Sequence, residues 1–197
     1  MENSFETLIA SYIENGVGIA EHFISNELGN HLKENLLSLY NKKLLLAAGT
    51  GNDKKLTHNA LVRSDVIYWL DKKNNNPYEN EFFVQIEAFI EYLNTSCYAG
   101  ITGYEFHYSL YETGSFYRKH LDQFQDNTSR QFSMISYLNA NWQENDGGEL
   151  LIHQAGNNQK ISPTQGKTVF FKSNELVHEV LVTNERRMSL TGWLKRG

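Results

Sequence analysis

The second half of the chain, from residue 103 onward, is divided into short runs in which apolar and polar side chains alternate. Successive side chains of a β-strand point to opposite faces, so this alternation predicts strands. Clusters of turn residues separate the runs, at 112–115, 144–148 and 155–159. Short strands at this spacing predict an antiparallel sandwich or barrel. The runs are YEFHYSLYE, FYRKHLD, RQFSMISYLN, GGELLIH, KTVFFKS, LVHEVLVT and RMSLTGWL.

The first hundred residues carry mainly helical signals. Helices are predicted over 4–16, over 25–43, where Ser25 can cap the first turn, and over 78–98. Strand-like runs lie between them at 17–24 and 61–70. The third helix places six large apolar residues at helical spacing, which predicts core packing: Phe82, Phe83, Ile86, Phe89, Ile90 and Leu93. We therefore expect one α+β domain over 1–197, with helices and flanking strands up to residue 100 and a β-core over 101–197.

Composition narrows the classes of function. A chain of 197 residues with 40% hydrophobic residues is long enough for a proper core. Its net charge of −5 argues against a nucleic-acid partner, because binding to a phosphate backbone needs clustered Lys and Arg. The acidic N-terminus lacks the pattern of a signal peptide, and the longest apolar runs are too short to span a bilayer. We expect a cytoplasmic protein without a membrane partner. Cys97, the only cysteine, is expected to be a small buried hydrophobe.

A candidate metal site begins at His120 and Asp122, which are two positions apart in a strand-like run. Residues i and i+2 of a strand point to the same side, so both side chains could bind one ion. This pair alone is weak evidence for a metal site, since His and Asp on an ordinary strand surface would show the same spacing. A third potential ligand, His178 in the run NELVHEVLVT, favours a metal site. One carboxylate and two imidazoles form the facial triad of non-haem Fe(II) enzymes, which leaves positions open for substrate and O₂.

A candidate carboxylate anchor follows on the next predicted strand. Arg187 lies nine residues after His178, and its guanidinium could bind a distal carboxylate in a bidentate fork while the other end of that molecule chelates the metal.

These motifs resemble the 2-oxoglutarate- and Fe(II)-dependent oxygenases. The closer resemblance is to the prolyl 4-hydroxylases of the hypoxia-inducible-factor branch, in which the distal segment has H-E-V, nine residues from His to Arg, and then T-x-W. Here the segment is HEVLVTNERRMSLTGW. The resemblance also covers ISYLNANW with the following GGELLI, and VRSDVIYWL upstream, so it extends from about residue 15 to the end. It implies a double-stranded β-helix, of the jelly-roll or cupin-like kind, with supporting N-terminal helices.

The resemblance also implies roles for individual residues. His120, Asp122 and His178 would bind Fe(II). Arg187 would bind the distal carboxylate of 2-oxoglutarate, with the hydroxyl of Tyr137 as its companion. In the collagen-type prolyl 4-hydroxylases a Lys is usual at the position of Arg187, so the Arg favours the hypoxia-factor branch.

Further positions match the substrate side of that family. Tyr111 corresponds to a tyrosine that lines the 2-oxoglutarate pocket, although its segment is one residue shorter than in the animal enzymes. Arg63 and Asp65 correspond to positions that bracket a mobile loop and contact the substrate peptide. The polar tract 49–62 would then be a lid, and Trp193 would line or support the site.

The residues alone leave other interpretations open. Arg186 stands beside Arg187, and either could be a solvated charge. Tyr137 could be an ordinary core aromatic. Arg63 and Asp65 could be a local strand ion pair, which contributes little to stability.

The activity that the resemblance implies is hydroxylation of a prolyl residue in a protein. 2-Oxoglutarate would be decarboxylated to succinate and CO₂, with O₂ as oxidant and ascorbate as reductant. We expect a microbial member of the branch, whose protein substrate belongs to the translation machinery, such as an elongation factor or a ribosomal protein. Two alternatives use the same residues differently: an oxygenase of a free small molecule, and a non-enzymatic β-barrel that binds a metal.

Overall fold

The computed structural model describes residues 2–49, 59–123, 128–154 and 156–197. In this part of the chain the α-helices are α1 (Glu2–Asn15), α2 (Asn26–Asn41) and α3 (Pro77–Ser96). The strands are β1 (Gly18–Ala20), β2 (Leu46–Ala47), β3 (Val66–Trp69), β4 (Gly103–Tyr111), β5 (Tyr117–His120), β6 (Arg130–Tyr137), β7 (Leu150–Gln154), β8 (Asn157–Ile161), β9 (Thr168–Lys172), β10 (Val177–Val180) and β11 (Arg187–Lys195). Short 3₁₀ helices lie at Lys72–Asn74 and Glu144–Asp146.

The strands form two antiparallel sheets. The larger sheet has the order β1-β9-β6-β11-β4-β3-β2, and the smaller has the order β5-β10-β7-β8. The three strands of the first hundred residues extend the larger sheet at both of its edges. The predicted fold class, a mainly β jelly-roll core with N-terminal supporting helices, is confirmed.

The helices cover the outer face of the larger sheet. Ser25 accepts a hydrogen bond from the Leu28 N–H and so caps α2, as predicted. Asn76 caps α3, and Pro77 stands at its first position, where a missing N–H costs nothing. The predicted core residues of α3 are buried, except for Ile90, which is half-buried at the edge of the cluster.

The central strands β4 and β11 are buried on both faces, and their alternation sorts side chains by polarity. Phe106, Tyr108 and Leu110 of β4 belong to the core that includes the helices. The alternate residues of that strand, from His107 to Tyr111, line a cavity on the opposite face. Strand β11 repeats the arrangement, with Met188, Leu190 and Leu194 towards the helices and Arg187, Thr191 and Trp193 lining the cavity. The fold thereby directs the alternate side chains of these two central strands into one cavity.

Three expectations from the sequence are wrong in detail. Cys97 is exposed, because it follows the last residue of α3 and lies beyond the packed face of that helix. The 155–159 cluster is not wholly a turn, because β8 begins at Asn157 and pairs with β7. The predicted strand over 17–24 is reduced to the three residues of β1.

Most of the predicted lid, residues 50–58, lies outside the described residues. In the part that the structure describes, no helix combines the length and the apolar character needed to cross a bilayer.

Candidate active site

A cavity of about 930 Å³ lies between the two sheets and is lined by residues of both. The larger sheet contributes the alternate residues of β4 and β11, and the smaller sheet contributes His120 and His178. A volume of this size suits a small co-substrate together with part of a second molecule.

His120, Asp122 and His178 converge on this cavity. β5 ends at His120, and Asp122 follows two residues later, while His178 lies directly opposite His120 in the register of β5 and β10. Oδ1 of Asp122 lies 3.3 Å from Nε2 of His120 and 3.7 Å from Nε2 of His178. One ligand atom from each residue lies within 4.8 Å of the others. Atoms that share one ion at about 2.1 Å lie about 3 Å apart in cis positions, so the three residues fit a common metal.

Contacts to backbone carbonyl oxygens orient the two histidine side chains. Nδ1 of His120 lies 2.7 Å from the Arg118 carbonyl oxygen, and Nδ1 of His178 lies 3.0 Å from that of Leu176. An imidazole that donates Nδ1–H to a carbonyl keeps the lone pair of Nε2 for a metal.

The carboxylate of Asp122 is held from the opposite sheet. The Ser133 hydroxyl, on β6, donates to Oδ2 of Asp122 at 2.6 Å, which leaves Oδ1 facing the two imidazoles. The hydroxyl oxygen of Ser173, the residue that follows β9, lies 2.9 Å from that of Ser133 and completes this buried chain of hydroxyls.

The protonation states favour a divalent cation. Burial raises the pKa of Asp122, but the neighbouring His178 and His120 and the Ser133 hydroxyl outweigh it and hold this pKa well below its usual range. Burial lowers the pKa of His178 to about 4, against the opposing charge of Asp122. At neutral pH the site therefore holds an ionised carboxylate and a neutral imidazole, which are the ligating forms.

Arg187 also lines the cavity, as a buried cation that is 1% exposed. Its Nε donates to the Gly148 carbonyl oxygen at 2.8 Å, and its guanidinium carbon lies 5.0 Å from the Tyr111 ring and 5.1 Å from the Tyr137 ring. No ion pair to Arg187 is found among the described residues.

Two polar atoms beside Arg187 are orphaned. Its Nη2 and the Tyr137 hydroxyl are buried and form no hydrogen bond in the described part of the chain. Burial raises the pKa of Tyr137 and of Tyr111, so both hydroxyls stay protonated and can donate. A buried cation and an unpaired donor fit the distal carboxylate of 2-oxoglutarate, since burying them unpaired is costly.

The neighbouring arginine is different. Arg186 is exposed and binds Glu112 on the surface, with Nη2 2.8 Å from Oε1. The structure thus places Arg187 in the cavity and Arg186 outside it.

Arg63 and Asp65 form a bidentate ion pair. Nε and Nη2 of Arg63 lie 2.8 and 2.7 Å from the two carboxylate oxygens of Asp65. Asp65 is buried, whereas Arg63 lines the cavity.

Comparisons with known proteins agree with this geometry. Residues 106–195 match the sequence model of the 2OG-Fe(II) oxygenase superfamily. Over 98% of this chain and 99% of the other, the protein is 30% identical to a prolyl-4-hydroxylase of Pseudomonas putida, with a TM-score of 0.88. The chain belongs to the 2OG-Fe(II) oxygenase superfamily. It is a 2-oxoglutarate-dependent dioxygenase, and the family implies Fe(II), 2-oxoglutarate and O₂.

Two more distant structures share the fold of this oxygenase. A prolyl hydroxylase of Trichoplax adhaerens, solved with a peptide fragment of the hypoxia-inducible-factor oxygen degradation domain, is 22% identical over 98% of this chain and 90% of that one, with a TM-score of 0.85. The α-ketoglutarate-dependent epimerase of nogalamycin biosynthesis is 13% identical over 100% and 84%, with a TM-score of 0.69. At these identities the likeness concerns the fold alone, and the fold is shared by enzymes with unlike substrates.

Sequence reasoning did not assign roles to several residues of the site. Ser133 orients Asp122 from eleven residues away on the opposite sheet. Gly148 holds Arg187 through its carbonyl, and a Cβ added there would lie 2.9 Å from Oγ1 of Thr183. For Gly148 the GGELLI motif was a signal, since a glycine pair before a strand often marks a close approach of two backbones.

His107 also lines the cavity, and the sequence assigned no role to it. It is buried between Trp69 and Trp193, with ring centroids at 4.9 and 5.6 Å. Burial, followed by the charge of Arg63, lowers the pKa of His107 to about 4. This histidine is therefore a neutral polar group in an aromatic wall of the cavity.

Proposed function

We propose that this oxygenase hydroxylates a prolyl residue in a protein substrate and couples the reaction to decarboxylation of 2-oxoglutarate to succinate and CO₂. The observation that carries the proposal is the 30% identity to a prolyl-4-hydroxylase over nearly the full length of both chains. The cavity fits this activity, because a metal triad and an unpaired carboxylate anchor lie within it.

In this proposal His120, Asp122 and His178 hold Fe(II) from one side. Iron, when bound with 2-oxoglutarate and O₂, supplies the oxidation that inserts one oxygen atom into a C–H bond. The protein's part is to present the neutral imidazole of His178 and the ionised carboxylate of Asp122, and Ser133 keeps the carboxylate in place through its hydrogen bond.

Arg187 and Tyr137 bind the distal carboxylate of 2-oxoglutarate. The guanidinium offers its free Nη2, and the Tyr137 hydroxyl donates beside it. Tyr111, whose ring lies against the guanidinium, closes the wall of this pocket and excludes water from it. Fixing the far end in this way directs the 2-oxo acid group towards the triad.

The protein substrate is proposed to approach from the side of Arg63 and Asp65, of which Arg63 lines the cavity. The substrate is proposed to be a component of the translation machinery. Ascorbate is proposed as the reductant, and the cytoplasm as the compartment in which the protein acts.

The test is an assay of succinate released from 2-oxoglutarate with Fe(II) and ascorbate, for the wild type and for Asp122→Ala. Proline-containing candidate proteins are then analysed by mass spectrometry for the gain of one oxygen atom on a proline. We expect iron-dependent succinate that disappears in the variant, together with a hydroxylated proline.

Other outcomes separate the alternatives. Iron-dependent turnover that modifies only a free small molecule would keep the oxygenase and reject the prolyl substrate. Succinate release that persists in Asp122→Ala would reject the assignment of the triad as the metal site.

A further inference from the structure

The side chain of Arg63 connects the two ends of the segment 49–62. Its Nη1 donates to the Gly49 carbonyl oxygen at 3.2 Å, while its Nε and Nη2 bind Asp65. Asp65 is tied to the same place through its backbone, because its carbonyl oxygen accepts from the Ala48 N–H at 3.0 Å. One guanidinium therefore fastens the residue that begins the segment to the chain that follows it.

The C-terminal end of the 49–62 segment is paired with the residues at β5, the strand that ends at His120. The Arg118 N–H donates to the Val62 carbonyl oxygen at 2.8 Å, and the Ser64 N–H donates to that of Phe116 at 3.1 Å. Arg63 and Tyr117 lie between these bonds and face each other in an antiparallel bridge.

Three planar groups are stacked at this point. The guanidinium carbon of Arg63 lies 4.1 Å from the centre of the Tyr117 ring. The Tyr117 ring in turn stacks on the His120 imidazole with centroids 3.6 Å apart and planes inclined by 16°. The column leads from the ends of the 49–62 segment to the metal triad.

The stack and a hydrogen bond constrain different motions of His120. The bond from Nδ1 to the Arg118 carbonyl oxygen fixes the direction in which Nε2 points within the ring plane. The Tyr117 ring limits the tilt of that plane, which the hydrogen bond alone leaves soft. Groups behind a ligand in this way commonly change metal affinity by about 10- to 100-fold when they are removed.

We propose that Arg63 and Tyr117 are positioning residues for the metal centre, and that their column couples the ends of the 49–62 segment to His120. This inference rests on the proposed assignment of His120, Asp122 and His178 as the metal ligands. Tyr117 sets the plane of the imidazole, and Arg63 holds Tyr117 in place while it clamps Gly49.

The first test measures binding of Co(II) alone to the purified protein by calorimetry and by its visible ligand-field spectrum. Tyr117→Leu should bind about tenfold more weakly, with an altered spectrum, because the imidazole loses its backing. Tyr117→Phe keeps the stacked ring and should restore both properties. Arg63→Met should weaken binding less than Tyr117→Leu, and the double variant should be no weaker than Tyr117→Leu, because the two residues act in series.

Arg118→Met is the matched control. Arg118 is an exposed arginine of the same strand whose guanidinium stacks on Phe116 at 4.5 Å, without a ring contact to the triad. Its substitution should leave Co(II) affinity and spectrum unchanged. Wild-type binding by Tyr117→Leu, or an equal loss in Arg118→Met, would overturn the inference. If Tyr117→Leu does not fold, Arg63→Met alone decides, and wild-type affinity in that variant would reject the column.

The second test follows from reciprocity, since a coupling between two sites acts in both directions. Co(II) should slow hydrogen exchange at the Ala48 and Ser64 amides in the wild type and in Arg118→Met, but not in Tyr117→Leu. Equal protection in Tyr117→Leu would reject the coupling.

A different result would show that His120, Asp122 and His178 do not form a metal site. A wild type that binds no Co(II), or an Asp122→Ala variant that binds it equally well, would reject the metal site itself.

Discussion

At the scale of single residues, Arg187 shows how a buried charge indicates a ligand. The residue is 1% exposed, and its Nε donates to a carbonyl oxygen rather than to an acid. Burying a cation without an opposite charge costs several kcal/mol, so a site of this kind persists where a bound anion compensates it. The orphaned Nη2 and Tyr137 hydroxyl show where that anion would lie.

Arg187→Lys should weaken 2-oxoglutarate binding strongly. A lysine has no planar fork and no Nε–H for the Gly148 carbonyl, so at least one charged hydrogen bond of about 1.5–3 kcal/mol is lost. We expect the KM for 2-oxoglutarate to rise by about tenfold or more, measured by succinate release. Arg186→Lys is the control, since that neighbour binds Glu112 on the surface. Equal effects in the two variants would contradict the assigned anchor.

His107 should make the metal-free protein sensitive to acid. Burial lowers its pKa to about 4, whereas an unfolded histidine titrates near 6.5. Between these values the unfolded chain binds a proton that the folded chain does not. The free energy of unfolding therefore falls as pH falls through this window, by up to about 1.4 kcal/mol per pH unit.

Urea denaturation of the metal-free protein between pH 4 and 7 measures this effect. His107→Gln, which cannot titrate, should lose less stability over the window than the wild type does. Parallel curves for the two proteins would show that His107 is not the group responsible.

At the scale of secondary-structure elements, Gly192 allows β11 to lie against β4. A Cβ added at Gly192 would lie 2.3 Å from both the Glu105 carbonyl oxygen and the Phe106 ring. Phe106 cannot withdraw, because its ring packs edge-on against Phe82 of α3 with centroids 5.1 Å apart. The absence of a side chain therefore positions the strand that carries Arg187.

Gly192→Ala should destabilise the protein by about 2 kcal/mol or more, since overpacking of a filled core displaces backbone and side chains. Chemical denaturation would measure the loss. Gly103→Ala, at the start of β4, is the matched control because a Cβ there meets no atom within 4 Å. A Gly192→Ala variant as stable as Gly103→Ala would show that β11 and β4 can separate without cost.

The alternation on β4 and β11 predicted strands correctly, but it did not tell what each face meets. The side chains of His107 and Ser109 are those expected on a solvent face, and in the structure both are buried beside the cavity. A second sheet covers that face, and pairing between sheets depends on contacts far apart in sequence. The hydrogen bond from Ser133 to Asp122 was missed for the same reason.

Strand β8 was missed for a different reason. Its sequence, NNQKI, is almost entirely polar, and the strand lies at the edge of the smaller sheet, where neither face needs to alternate. The segment forms a strand because it pairs with β7, from Leu150 opposite Ile161 to Gln154 opposite Asn157. Local patterns predict strands that border a core, and they predict edge strands poorly.

At the scale of the whole molecule, the site is divided between the two sheets. His120 and His178 lie on the smaller sheet, whereas Arg187 and Tyr137 lie on the larger. Asp122 connects the two halves through Ser133 of β6. A 2-oxoglutarate molecule that chelates the metal and reaches Arg187 would therefore join one sheet to the other, and neither sheet could bind it fully alone.

This division predicts cooperative thermal stabilisation. Ligands that bind only the folded state raise its stability by mass action, and saturating Mn(II) with 2-oxoglutarate should raise Tm by on the order of 5–10 °C. 2-Oxoglutarate without metal should give little shift, and the two together should exceed the sum of their separate effects. Arg187→Met should retain the Mn(II) shift and lose the further shift, whereas Asp122→Ala should lose both. Scanning calorimetry of the three proteins decides the point: an additive response, or a full response in Arg187→Met, would mean that the co-substrate does not bridge the sheets.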